Sequence, residues 1–155
     1  MKIYLKKLAV CIAIPLIVGG LSALFTMSSM EQFEALNKPP LSPPSWLFPV
    51  VWTILFILMG IASYLVKING EPGETKTALT VYGVQLAFNF LWSLIFFNMG
   101  AYLFAFIWLV ALWFLIIINI VLFYRISKPA GLLLIPYLLW VTFAGYLNLA
   151  IYLLN

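Results

Sequence analysis

The segment TALTVYGVQLAFNFLWSLIFFNMGAYLFAFIWLVALWFLIIINIVLFY, from Thr77 to Tyr124, carries no charged side chain. A helix needs about 20 mostly apolar residues to cross the roughly 30 Å hydrocarbon core of a bilayer, so this segment is too long for one span. Near its middle, Asn98-Met99-Gly100 is typical of a tight turn. The segment therefore predicts two membrane-spanning helices joined by that turn.

The rest of the chain has the composition of a membrane protein. Hydrophobic residues make up 66% and charged residues 8% of its 155 residues, whereas a soluble domain carries roughly 25% charged residues. The first apolar run is longer than a typical signal-peptide core, so we interpret it as a retained helix. Five spans are predicted: 8–27, 47–66, 77–97, 101–124 and 131–154. We expect an all-α integral membrane bundle of five transmembrane helices, forming one domain over residues 1–155.

The basic residues predict the orientation of the bundle. Of the eight Lys and Arg residues, all but Lys38 flank spans on one side: Lys2, Lys6, Lys7, Lys67, Lys76, Arg125 and Lys128. Because cytoplasmic loops are enriched in Lys and Arg, we expect a multi-pass protein of the cell membrane with a cytoplasmic N-terminus and an external C-terminus. These residues form no basic stripe, so binding of nucleic acid is not expected.

Several kinds of chemistry are disfavoured by composition. The chain has no histidine and one cysteine, which excludes an internal disulfide and disfavours zinc sites, haem ligation and His-based catalysis. Its four acidic residues lie in loops: Glu31, Glu34, Glu71 and Glu74. We expect no metal site and no cofactor. An ion-driven transporter is also disfavoured, because such proteins normally place a charge inside the membrane.

A proline-rich loop lies on the outer side, between the first two spans. Residues 28–46, here called the outer arm, include Lys38-Pro39-Pro40-Leu41-Ser42-Pro43-Pro44-Ser45-Trp46. Proline fixes φ and lacks an amide donor, so a stiff, polyproline-like conformation is expected. The apolar spacing of Met30, Phe33 and Leu36 predicts a short amphipathic helix before it. We expect the outer arm to be the lid of a pocket.

Polar and aromatic side chains inside three spans form the candidate site. Trp52 lies in the second span, just below the outer arm. The third span carries Gln85, Asn89, Trp92 and Ser93 at helical spacing, and the fifth carries Tyr137, Trp140, Ala144 and Asn148. Each set falls on one helical face. Two interpretations are open: the faces converge on a pocket with amide groups and indole walls, or the amides bond between helices while the aromatics lie at the membrane interface.

Prolines and small residues predict how the spans bend and pack. Pro15 and Pro136 are expected to kink their helices, and each frees a backbone carbonyl, of Cys11 and Leu132 respectively. Small side chains let helices approach closely. The residues predicted to do so are Gly19, Gly20, Ala23, Gly83, Ala87, Ala144 and Gly145.

Four motifs in register over the whole chain resemble the TspO/MBR family of tryptophan-rich sensory proteins and translocator proteins, also called peripheral-type benzodiazepine receptors. They are the outer-arm motif ending at Trp46, Val51-Trp52-Thr53-Ile54-Leu55-Phe56, Gln85-Leu86-Ala87-Phe88-Asn89-Phe90-Leu91-Trp92-Ser93 and Pro136-Tyr137-Leu138-Leu139-Trp140. The resemblance implies a five-helix bundle, usually a homodimer, with a pocket under the first outer loop. It implies tetrapyrrole ligands such as protoporphyrin IX, drug-like hydrophobic molecules and, in some members, sterols.

Carried over by motif, the resemblance assigns Trp52, Asn89 and Trp140 to the pocket. It places at the lid or walls Phe33, Pro43, Pro44, Phe90 and Ala144. With Gln85 and Tyr137 from the polar faces, these are the predicted ligand-binding residues. The implied partners are the lipid bilayer, a tetrapyrrole or drug-like hydrophobic ligand, and a second copy of the chain.

Three functions are compatible with this assignment. The leading hypothesis is a membrane receptor, sensor or carrier that binds porphyrins in a tryptophan-lined pocket. The alternatives are light- and oxygen-dependent porphyrin degradation, with Trp52 and Trp140 as catalytic residues, and passive transport of small molecules. This chain has Leu41 where many members have Trp, and Phe33 where many have Tyr. Tyr152 is followed by no Lys or Arg, which argues against sterol recognition through the C-terminal motif.

Overall fold

The computed structural model describes residues 3–155. Within that range five segments are long and apolar enough to cross a membrane: Leu5–Glu34, Leu47–Asn69, Pro72–Asn98, Tyr102–Ile126 and Lys128–Leu154. No β-strand occurs in the part of the chain described. The predicted all-α bundle of five transmembrane helices is therefore confirmed. Lys2, counted above toward the orientation, lies outside the described residues.

Seven α-helices in residues 3–155 make up the five spans. They are α1 Leu5–Thr26, α2 Met30–Glu34, α3 Leu47–Asn69, α4 Pro72–Ser93, α5 Tyr102–Ile126, α6 Lys128–Leu133 and α7 Ile135–Leu154. A 3₁₀ turn at Met27–Ser29 joins α1 to α2, and a π-helical turn at Leu94–Asn98 extends α4. Gly100, with φ +60°, then reverses the chain into α5, at the turn that the sequence predicted.

The helix α4 begins at Pro72, earlier than the predicted span at residue 77. Its start is stabilised by a capping box, in which the Glu71 amide donates to Glu74 Oε1 over 3.0 Å. Pro72 suits the first turn, where a helix needs no amide donor. The polar residues before the apolar run are thus helical, and the connector after α3 is only two residues, Gly70 and Glu71.

The two prolines expected to kink spans have different effects. The helix α1 continues through Pro15. Pro136 lies in the first turn of α7, and the break comes before it, at Leu134, between α6 and α7. Pro136 thus takes a first-turn position, where no amide donor is needed, whereas Pro15 lies in the interior of α1 and leaves the Cys11 carbonyl without its helical partner.

The helices close into a ring around an apolar core. The helix α1 packs against α3 and α4, α4 against α5, α5 against α6 and α7, and α6 against α3. Fully buried apolar side chains at the centre include Met59, Leu112, Ile116, Phe123 and Leu134. The backbone of α3 approaches α6 closely, whereas α3 meets α7 through aromatic side chains.

Close backbone contact occurs at glycines that the sequence did not single out. A Cβ at Gly60 would lie 2.5 Å from Ile12 Cα, and one at Gly131 would lie 2.8 Å from Tyr124 Cα. Gly20 and Gly83, which were predicted to permit close packing, face open space. Composition identifies small residues, but which of them faces a neighbouring backbone depends on the rotation of each helix.

Candidate functional site

A chain of hydrogen bonds joins three of the predicted site residues across α4 and α7. Asn89 Nδ2 donates to Tyr137 Oη over 2.8 Å, and Tyr137 Oη donates to Gln85 Oε1 over 2.6 Å. All three side chains are buried, and Gln85 is 0% exposed. Gln85 Nε2 donates to Met59 Sδ over 3.9 Å, and a thioether sulfur is a weak acceptor. The amides therefore hold Tyr137 in one position between the two helices.

A second polar group lies nearer the end of the bundle that carries the outer arm. Trp92 Nε1 donates to Asn148 Oδ1 over 3.0 Å, and Asn148 Nδ2 donates to the Tyr102 carbonyl over 2.9 Å. These bonds link α4, α7 and the start of α5. Both polar faces predicted from the sequence thus form hydrogen bonds between helices. This supports the interpretation that their amides join helices, and a pocket can still lie beside them.

An aromatic wall on α3 faces the polar residues. Trp52 stacks on Phe56 with ring centroids 5.5 Å apart, and its ring meets Tyr137 edge to face at 6.2 Å. Phe48 meets Trp140 edge to face at 5.9 Å. Trp52 and Trp140 are therefore placed on facing helices, α3 and α7, with Tyr137 against Trp52 at the same junction.

The outer arm closes the outer end of this junction. Phe33 in α2 contacts Phe48, Phe96 and Phe97 with ring centroids 5.2–6.4 Å apart. Lys38 Nζ lies 4.9 Å from the Phe33 ring centroid, a distance suited to a cation–π contact. Phe33, predicted as a lid residue, thus connects the arm to the aromatic wall through Phe48.

Hydrogen bonds fasten the outer arm at several places. The side chain of Asn155 accepts from the Asn37 amide over 3.2 Å and donates to the Asn37 carbonyl over 2.9 Å. Tyr146 Oη donates to the Pro40 carbonyl over 2.9 Å. Ser45 Oγ donates to Glu34 Oε1 over 2.8 Å. The arm is therefore tied both to α7 and to itself.

The proline motif forms a turn at its tip. The Ser42 amide donates to the Pro39 carbonyl over 3.3 Å, and Leu41 has φ +73°. This left-handed conformation is uncommon for a bulky residue and costs roughly 1–2 kcal/mol. Leu41 is 81% exposed, so of the two residues that depart from the family pattern this one is largely exposed, whereas Phe33 contacts the aromatic wall.

The other predicted residues are more scattered. Ala144 is buried on α7. Phe90 packs edge to face on Phe25 of α1, with centroids 6.0 Å apart. Pro43 is half-buried and Pro44 is exposed. Phe90 and Pro44 thus lie at the margins of the Trp52–Tyr137–Trp140 junction.

Three residues were missed by the sequence analysis. Phe48 and Phe56 belong to the aromatic wall, and their spacing of four from Trp52 was the available signal. Asn119 in α5 is 1% exposed, and neither its Oδ1 nor its Nδ2 has a hydrogen-bond partner. An amide in the middle of an otherwise apolar span was visible in the sequence.

Two grooves mark the surface of the bundle. One, of 390 Å³, lies between α3 and α7 and is bordered by Trp140 and the apolar side chains of Val51, Ile54, Leu58 and Leu139. The other, of 300 Å³, lies between α5 and α7 beside Trp113 and Gly145. Among residues 3–155 no group of three His, Cys, Asp or Glu side chains could hold a metal ion. The junction offers flat aromatic surfaces and neutral amides, which suit a planar, largely apolar ligand.

The chain is similar to known membrane proteins over nearly its whole length. A protein-family model described as the TspO/MBR family matches residues 11–154. The tryptophan-rich protein TspO of Chlorobaculum tepidum is 44% identical over 152 residues, covering 96% of this chain and 95% of its own. That of Archaeoglobus fulgidus is 41% identical over 150 residues, covering 96% and 97%. The translocator protein of Bos taurus is 33% identical over 138 residues, covering 87% and 82%.

Proposed function

The chain belongs to the TspO/MBR family of multi-pass membrane proteins, and we propose that it is a membrane receptor or carrier for a porphyrin of the protoporphyrin IX type. One observation carries this proposal: Trp52 and Trp140 lie on facing helices, beside the buried Tyr137 and beneath the outer arm. Indole faces stack on a flat macrocycle, and the buried amides of Asn89 and Gln85 fix the position of Tyr137 beside it. Besides these neutral groups, Lys38 of the outer arm lies against the Phe33 ring and supplies a positive charge at the edge of the site.

A porphyrin titration tests the proposal. We expect protoporphyrin IX to quench the tryptophan fluorescence of the protein in nanodiscs saturably, in the dark so that photobleaching does not imitate binding. Trp140→Phe should weaken the affinity about tenfold, since a lost stacking contact is worth about 1–1.5 kcal/mol. Asn89→Ala should also weaken it, by releasing Tyr137.

A matched control is Trp113→Phe. Trp113 lies on α5, bonded to Thr142 at the groove between α5 and α7, away from the Trp52–Tyr137 contact. This variant removes one tryptophan and should keep the affinity of the wild type. Absence of saturable quenching, or equal loss of affinity in the Trp113 and Trp140 variants, would contradict the proposed site.

The proposed partner is a second copy of the chain, bound through α4. Gly83 and Ala87 lie one turn apart on its exposed face, and nothing approaches Gly83 within 4 Å. Small residues at this spacing let two membrane helices meet closely. Gly83→Leu should shift the protein from dimer to monomer in light scattering on detergent micelles. Gly20→Leu, which also fills open space, should not; identical masses for both variants would argue against this interface.

We propose that the protein lies in the cell membrane with its N-terminus in the cytoplasm. In support, the helix ends that flank the α3–α4 and α5–α6 connections, at the end of the bundle where α1 starts, carry Lys67, Lys76, Arg125 and Lys128. Lys38 lies at the opposite end. An impermeant thiol reagent should label Ser45→Cys in intact cells, since the native Cys11 is buried. Labelling only after lysis would reverse the assignment.

A further inference from the structure

The groove between α3 and α7 is a gap in the wall of the bundle. It follows α3 from Val51 to Leu58, about 10 Å along the helix axis at 1.5 Å per residue. Its inner end is at Pro136, next to the break at Leu134 that separates α6 from α7. The backbone of α6 stays close to α3 and that of α7 does not, so the gap lies beside α7, after the break in the fifth span.

The rim of the groove is apolar and faces the bilayer. Ile54 is 52% exposed and Leu139 is 64% exposed, and both lie inside membrane-spanning segments. Exposed side chains of this kind in a span are surrounded by lipid chains rather than water. A hydrophobic molecule dissolved in the bilayer therefore meets a matching apolar surface here.

The groove adjoins the candidate site. Trp140 borders the groove and also contacts Phe48 of the aromatic wall. One turn before Trp140, Tyr137 touches Trp52. The edge-to-face ring pairs Phe48–Trp140 and Trp52–Tyr137 thus lie between the groove and the interior of the junction. Ring contacts of this kind are individually weak, so rotation of a few side chains would open the way.

The outer end of the site is closed more firmly. The outer arm is held there by the paired bonds between Asn37 and Asn155, the Tyr146 bond to Pro40 and the Ser45 bond to Glu34. Access from the aqueous side requires several of these bonds to break together. Access from the bilayer requires only side-chain rotation, which is the faster class of motion.

We propose that this groove is a lateral portal through which the planar hydrophobic ligand passes between the bilayer and the Trp52–Tyr137–Trp140 junction. The inference rests on the proposed function, because it concerns the ligand of that same site. The ligand class is the planar macrocycle proposed above, which partitions into the bilayer and presents two apolar faces to the groove between α3 and α7. The outer arm then serves as a cover rather than as the passage.

Rates of binding distinguish a portal from a binding surface. Ile54→Phe with Leu139→Phe fills the groove, while Ile54→Ala with Leu139→Ala widens it. Stopped-flow mixing of nanodiscs with protoporphyrin-loaded vesicles in the dark gives the association and dissociation rate constants. For the filled variant we expect both constants to fall about tenfold with Kd unchanged within about twofold, because a barrier on the path slows both directions equally. The widened variant should show the opposite change in both rates.

A matched control fills the other groove. Val110→Phe with Leu149→Phe adds the same rings to the groove between α5 and α7 and should leave both rate constants at wild-type values. Helix content and melting temperature verify that each variant is folded, as expected for substitutions at exposed positions.

Two results would overturn the portal. One is a filled variant that binds and releases the porphyrin at wild-type rates, above all if Asn155→Ala, which loosens the outer arm, accelerates binding. The other is equal slowing by both pairs of phenylalanines. Failure of the proposed function is a separate result. In that case the wild-type protein would show no saturable fluorescence change with protoporphyrin IX.

Discussion

Gly60→Leu should lower the free energy of unfolding of the bundle by more than about 3 kcal/mol. A Cβ on Gly60 would lie 2.5 Å from Ile12 Cα and 2.8 Å from the Cys11 carbonyl oxygen. These are backbone atoms of α1, and they cannot rotate aside as a side chain can. The whole helix α1 would have to move away from α3.

The reason for this close contact lies partly in Pro15. Proline has no amide to donate to the carbonyl four residues earlier, so the Cys11 carbonyl is left without its helical partner. That carbonyl faces Gly60 on α3. A glycine there allows the two backbones to approach, with the weak Cα–H···O attraction that such approach permits. The α1–α3 contact therefore depends on a proline in one helix and a glycine in the other.

Unfolding of the purified protein in mixed micelles, followed by circular dichroism, measures the effect. Gly20→Leu is the control, because a Cβ added at Gly20 in α1 would meet no atom within 4 Å. It should change the free energy of unfolding by less than about 0.5 kcal/mol. Similar stability of the two variants would show that α1 does not pack on α3 as described.

Tyr137→Phe should lower the free energy of unfolding by about 2–4 kcal/mol, because it leaves two buried groups unpaired at about 1–3 kcal/mol each. The groups are Asn89 Nδ2 and Gln85 Oε1, both bonded to Tyr137 Oη. Hydrogen bonds in membrane proteins average only about 0.6 kcal/mol when the partners can bond elsewhere. In this bundle Gln85 and Asn89 are buried, so the larger cost should prevail.

A compensating variant separates hydrogen bonding from packing. Gln85→Leu with Asn89→Leu and Tyr137→Phe removes every member of the bonded chain, so no polar group is left unpaired. We expect this triple variant to recover most of the stability lost in Tyr137→Phe, measured by the same unfolding experiment. If the triple variant is less stable than Tyr137→Phe, the loss comes from packing and not from unpaired amides.

The sequence predicted the faces of the candidate site better than its contacts. Helical spacing put Gln85 and Asn89 on one face of α4, and the structure has both of them bonded to Tyr137. The spacing could not show that Tyr137 donates to one and accepts from the other, because that depends on the distance between α4 and α7. Phe48 and Asn119 could also have been identified from the sequence. Phe48 lies four residues before Trp52, and Asn119 is an amide in an otherwise apolar span.

Composition and charge determined that the chain spans a bilayer five times, because hydrocarbon thickness sets the length of an apolar helix and hydration excludes charge from it. Only the tertiary structure shows that the backbone of a neighbouring helix packs against Gly60 and not against Gly20. It also decided that α7 leaves a gap beside α3. These features depend on the rotation and tilt of each helix, which are set by packing against all its neighbours and not by its own sequence.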